Sequence, residues 1–236
     1  MRKIQFINNE YYHIYNRGVE KRNIFLDKND YFRFIHNLFE FNDIVPAGKF
    51  FQPSESRPPN IPERKPIVEI ICFSLMPNHF HLILRQLVIN GISLFMQKLG
   101  GGYAMYFNQK YARVGGLFQG RFKAVPVNNE DYLTHLSRYI HLNPVELIEP
   151  NWETGGIKNW EEANKFLESY RWSSYPDYLG KANFPSITNR DFLLRIFNGS
   201  ENYKRFVNGW MIKDLDKIKI LLPDFKLSEV GTPKVG

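Results

Sequence analysis

The sequence predicts an α+β fold, a mostly antiparallel sheet covered by helices on one face, followed by a helical extension. Three observations carry this expectation. Short runs of aromatic and β-branched residues read as strands, longer apolar runs recur at helical spacing, and the two kinds alternate as strand, helix, two-strand hairpin, helix, strand, helix. A chain of 236 residues with 43% hydrophobic and 16% aromatic residues has ample material for a buried core and does not have the composition of a disordered or fibrous chain.

Each element has its own signal. Tyr11-Tyr12-His13-Ile14-Tyr15-Asn16 reads as a strand that turns at Arg17-Gly18. Asp27 is placed to cap a helix running to about Phe41, with Tyr31, Phe32, Ile35, Leu38 and Phe39 forming its apolar stripe. Residues 45–66 hold six of the fourteen prolines and read as a surface insertion, because proline removes ladder and helix donors. Ile67 to Leu75 and His79 to Gln86 form a hairpin about the turn Met76-Pro77-Asn78.

Ser93 is the expected cap of the next helix, which extends to about Tyr106 or beyond and is weakened by Gly100-Gly101-Gly102, where a kink or close packing is expected. Arg121 to Val127 reads as an edge strand, since Pro126 cannot donate to a ladder. Asn128 or Asn129 caps a helix that carries Glu130 and Asp131 at its positive end. That helix ends near Leu142, because Asn143 precedes Pro144 and is expected to leave helical geometry. Trp160 to Tyr170 and Asp191 to Phe197 are further helical patterns. The chain therefore divides into a region 1–150, interrupted by 45–66, and an extension 151–236.

Composition narrows the partners. A formal charge of +7 and a pI near 9.3 favour a polyanion, through phosphate neutralisation and counterion release. The single cysteine, Cys72, excludes an intrachain disulfide framework and points to a reducing cytoplasm. No apolar stretch has the length of a membrane span or signal peptide, so no membrane partner is expected.

Two groups of residues carry candidate chemistry. His79 and His81 flank Phe80 on a strand, so both imidazoles project from one face, about 7 Å apart along the strand, where they can share a metal. Phe80, Leu82 and Leu84 form the opposite, apolar face, which places the core on the far side from the histidines. Tyr139 and Asn143 are four apart and share a helical face, one offering a nucleophilic hydroxyl and the other an oxygen ligand. His13 reads as an orienting or core histidine.

Four segments in this order resemble the HUH single-tyrosine transposases of the insertion-sequence-200 type, in particular the REP-associated tyrosine branch. They are Tyr12-His13-Ile14-Tyr15-Asn16-Arg17-Gly18, Met76-Pro77-Asn78-His79-Phe80-His81-Leu82, Leu117-Phe118-Gln119-Gly120-Arg121-Phe122-Lys123 and Tyr139-Ile140-His141-Leu142-Asn143-Pro144-Val145, together spanning roughly residues 10 to 146.

The resemblance implies a ferredoxin-like sheet and metal-dependent cutting and rejoining of single-stranded or hairpin DNA. Tyr139 falls at the nucleophile position that forms a 5′-phosphotyrosine. His79, His81 and Asn143 fall at metal-ligand positions, and the metal is Mg²⁺ or Mn²⁺. Arg17, Arg121 and Lys123 stand beside aromatic residues in a pattern suited to phosphates and unstacked bases. The resemblance admits a monomer or a homodimer. A hairpin-binding protein without strand transfer is the alternative.

Overall fold

The computed structural model describes residues 4–45 and 64–209. Most of the proline-rich stretch at 45–66, and residues 210–236 of the extension, lie outside the described residues.

Strand β1 (Tyr11–Arg17) leads to helix α1 (Lys28–Glu40), the hairpin β2 (Val68–Met76) and β3 (His79–Gln86), helix α2 (Gly91–Lys110), strand β4 (Lys123–Val127) and helix α3 (Glu130–Leu142). The strands form one antiparallel sheet in the order β2-β3-β1-β4. Both crossovers, through α1 and through α2, skip one strand, which is the ferredoxin-like βαββαβ arrangement. β4 lies at an edge, as its proline requires. After α3 come a 3₁₀ turn, Asn143–Leu147, and the short helices α4 (Trp152–Gly155), α5 (Trp160–Ser169), α6 (Tyr175–Tyr178), α7 (Asp191–Ile196) and α8 (Ser200–Asn208). No described helix is long and apolar enough to cross a membrane.

Local chemistry explains several boundaries. Asp27 accepts from the backbone of Asn29 and Asp30, while the Asp30 side chain returns to the Asp27 backbone, a complete capping box. Asn129, rather than Asn128, caps α3 by accepting from Tyr132 N at 2.7 Å. The start of α2 differs from expectation: the helix begins at Gly91 behind Asn90, which sits in the left-handed region at φ 60°. Gln86 replaces a local cap there, its Oε1 accepting from Ile92 N at 3.2 Å. β4 begins at Lys123 because the preceding residues are held elsewhere, with Gly18 and Phe118 forming an isolated bridge.

The glycine triplet does not kink α2. A Cβ at Gly102 would stand 2.8 Å from the Phe41 ring, so close packing is the reason for that glycine. Gly18 is similarly constrained, since a Cβ there would meet Arg22 O at 2.2 Å.

The sheet is covered on both faces, not one. α1 and α2 pack on the Tyr12, Ile14, Phe80, Leu82 and Leu84 face. On the histidine face, a second buried cluster joins Cys72 and Ile83 to Leu136, Tyr139 and Ile140 of α3 and to Trp152, Tyr178 and Tyr203 of the later helices. Every residue of α3 from Tyr132 to Leu142 is buried. Because α3 lies between sheet and extension, its outer face is not solvated, and the polar histidines on β3 disguised the second core.

Candidate active site

The tight turn after Met76 makes His79 the first residue of β3, and alternation sends His79 and His81 towards α3. Antiparallel register carries the same face across the sheet: Arg17 stands opposite His79, Tyr15 opposite His81, and Lys123 opposite Tyr15 on the edge strand. α3 crosses above, its last turns aiming Tyr139 and Asn143 at the histidines. Asn143 follows the last residue of α3 and keeps helical angles, φ −49° and ψ −39°, despite the following proline. The chain continues into the 3₁₀ turn with Pro144 at its start, where a missing N–H costs little, so Asn143 remains one helical turn from Tyr139.

The four residues meet in a closed space. His79 is 6% exposed, Asn143 4%, and His81 and Tyr139 0%. The His79 and His81 rings lie edge to face with centroids 5.0 Å apart, and the His81 and Tyr139 rings 6.0 Å apart. His79 Nε2 lies 3.1 Å from Asn143 Oδ1, and His79 Nδ1 lies 2.6 Å from Asn78 Oδ1. His81 Nδ1 lies 2.9 Å from His13 Nε2 of the neighbouring strand.

Burial dominates the electrostatics. It lowers the His79 imidazole to about 4 and pushes His81 well below the usual range, so both rings are neutral at pH 7. Burial, and next the Glu153 carboxylate, raise the Tyr139 phenol well above its ordinary value, while a hydrogen bond from Asn143 acts in the opposite sense.

The His79 geometry bears on a cation. A neutral imidazole carries one N–H, yet both nitrogens of His79 face amide oxygens. With the proton on Nδ1 and donated to Asn78, the lone pair on Nε2 confronts the lone pairs of Asn143 Oδ1. A cation held by both atoms would satisfy them, as would a proton on Nε2 bridging their 3.1 Å separation. Among the described residues no three His, Cys, Asp or Glu side chains form a metal-binding group, and the amide oxygen beside His79 is that of Asn143.

The basic residues divide. Arg17 and Lys123 share the histidine face by register. Arg17 Nε also donates to Gln119 Oε1 at 2.5 Å, which ties β1 to the loop before β4. Arg121 is exposed on that loop, apart from the buried group.

Two participants were missed in the sequence. Asn78 was read only as a turn residue, although an asparagine next to a candidate ligand was the available signal. Glu153 accepts from the Tyr139 hydroxyl at 3.1 Å, and Trp152 packs near the tyrosine ring with centroids 6.4 Å apart. Both lie on α4, in the stretch read as an extension, and no spacing in the sequence points to them.

Comparison with known proteins falls on the same region. Residues 63–143 match the family described as "Transposase IS200 like". Among solved structures the chain is similar to one described as "Structure of the REP associates tyrosine transposase bound to a REP hairpin", at 15% identity over 80% of this chain and 93% of that one, with a TM-score of 0.47. No curated protein matches. The matched stretch, residues 63–143, contains both histidines, Tyr139 and Asn143.

Proposed function

We propose that this chain is a transposase-type nuclease that cuts and rejoins single-stranded DNA at hairpins through a 5′-phosphotyrosine on Tyr139. The observation that carries this reading is the convergence of the Tyr139 hydroxyl, two neutral imidazoles and the Asn143 amide on one sheet face. A nucleophile beside a set of cation donors is what phosphoryl transfer to a side chain requires.

His79 Nε2, His81 Nε2 and Asn143 Oδ1 would hold Mg²⁺ or Mn²⁺, and paired imidazoles suit Mn²⁺ better. When bound, the cation polarises the scissile phosphate and neutralises charge that develops on it. The protein sets the donors: Asn78 accepts from His79 Nδ1–H, and His13 Nε2 accepts from His81 Nδ1–H, which leaves both Nε2 lone pairs directed inward. Tyr139 Oη attacks phosphorus, the bond from phosphorus to the 3′ oxygen breaks, and the covalent link retains the phosphodiester energy for rejoining. No nucleotide cofactor is needed. Arg17 and Lys123 flank the site as phosphate contacts, with exposed Arg121 extending the track.

This reading takes the site as assembled from one chain, and it is compatible with a monomer or a homodimer. In this reading the residues before 150 supply the nucleophile and the cation donors, and the helices after 150 supply most of their cover. Since Tyr139 is fully buried, the phosphate must displace part of that cover.

Incubating the protein with labelled single-stranded hairpin oligonucleotides and Mn²⁺, followed by denaturing electrophoresis, tests the reading. The expected result is a band that survives denaturant and is absent in Tyr139→Phe. Hairpin binding with no adduct, across hairpins that include those flanking the protein's own gene, would favour a binding protein instead.

A further inference from the structure

A phenol is a competent nucleophile towards phosphorus only as its proton departs. Among the described residues the carboxylates that act on Tyr139 are Glu153 and, more weakly, Glu146. His79 directs its nitrogens at Asn78 and Asn143, and His81 engages His13 through Nδ1. The tyrosine hydroxyl donates to a carboxylate, Glu153 Oε1, at 3.1 Å. Glu153 is 8% exposed and Tyr139 is fully buried.

We propose that Glu153 is a catalytic residue of this site, the general base that accepts the Tyr139 proton during strand cleavage and the general acid that returns it during rejoining. This rests on the nuclease reading and adds the proton path to it.

In cleavage, the Tyr139 O–H proton moves to the Glu153 carboxylate as the bond from Oη to phosphorus forms. The bond from phosphorus to the 3′ oxygen breaks, and that oxygen takes a proton from solvent. In rejoining, a 3′-hydroxyl attacks the phosphotyrosine and loses its proton to solvent, while Glu153 protonates the departing phenol oxygen. No redox partner enters either step. A free phenolate beside an ionised carboxylate is disfavoured by repulsion. Concerted transfer avoids that state, because the carboxyl group is neutral whenever the phenol oxygen carries charge.

The test is single-turnover adduct formation by the full chain on a labelled hairpin oligonucleotide with Mn²⁺. Glu153→Gln keeps shape and an acceptor oxygen but removes basicity. It should slow the adduct roughly 100-fold or more while hairpin and Mn²⁺ binding stay unchanged. Glu153→Asp, which retains a carboxylate set back by one methylene, should fall between the two. Replacing Tyr139 by 3,5-difluorotyrosine, a more acidic phenol, should shrink the Glu153→Gln penalty severalfold.

Adduct formation by Glu153→Gln at the parent rate or faster overturns the proposal and makes Glu153 a latch on the tyrosine. An undiminished penalty with the acidic tyrosine overturns it as well. If the parent forms no adduct at all, the nuclease reading fails first and the base falls with it.

Discussion

Two buried histidine clusters flank the end of α3, and they solve the same problem in opposite ways. His141 points into the extension, where Nδ1 lies 2.7 Å from Tyr203 Oη and Nε2 lies 2.8 Å from Ser174 Oγ. Hydroxyls both donate and accept, so the ring can donate to one and accept from the other, and Tyr203 and Ser174 are held in turn by Ser137 and by Phe73. His79, on the sheet side, faces two amide oxygens that only accept. Both rings are kept neutral by burial, His141 near 3 and His79 near 4. One cluster is closed by its own protons, and under the proposed function the other would be completed by a cation. A buried histidine is therefore assigned to structure or to chemistry by the kind of partner it meets, and not by its burial or charge.

Substitutions can break or sharpen this contrast. The largest expected effect is at the open cluster: His79→Ala should abolish Mn²⁺-dependent adduct formation, read by denaturing electrophoresis, while circular dichroism shows the fold retained. Persistent Mn²⁺-dependent cleavage would remove His79 from the ligand set.

His141→Leu should act in the other direction, on stability alone. Each of two buried hydroxyls loses one hydrogen bond, at a net cost of about 0.5–1.5 kcal/mol apiece, so the urea midpoint should drop, while folded protein binds Mn²⁺ with parent affinity. A large loss of Mn²⁺ affinity in that variant would show that the two clusters are not separate.

Asn78→Ala tests the proton bookkeeping at His79. Without an acceptor at Nδ1, the ring is free to protonate Nε2 or rotate. Mn²⁺ affinity by titration calorimetry should fall about 10- to 100-fold, the usual cost of removing an outer-shell partner. The smallest effect belongs to the flank, where Lys123→Ala should weaken binding of all hairpins alike and reduce the slope of log K against log salt by about one. A change confined to one hairpin sequence would mean that Lys123 reads bases.

Much of the frame was legible because its signals are local. Asp27 with Asp30 three residues on, Asn129 before an acidic first turn, and Pro126 in an edge strand announce their elements through short-range hydrogen bonding or its absence. The histidine alternation on β3 correctly placed both rings on one face. The cap of α2 was misplaced because Gln86, on the preceding strand, supplies it across a turn. The face opposite Phe80 was expected to be open because His79, His81 and Arg85 read as polar. In the fold that polarity is enclosed beneath α3, and α3 is itself enclosed by Tyr178, Tyr203 and their neighbours.

By itself the sequence determined on which face of which element the candidate side chains lie, because strand and helix periodicities are properties of a few consecutive residues. Only the tertiary structure decided what those side chains meet. That His79 faces two acceptors, that His13 holds His81, and that Glu153 takes the hydrogen bond of Tyr139 depend on strands and helices brought together across as many as 68 residues of chain. Contacts of that kind follow from the packing of α3 between sheet and extension, and packing leaves no period in the sequence.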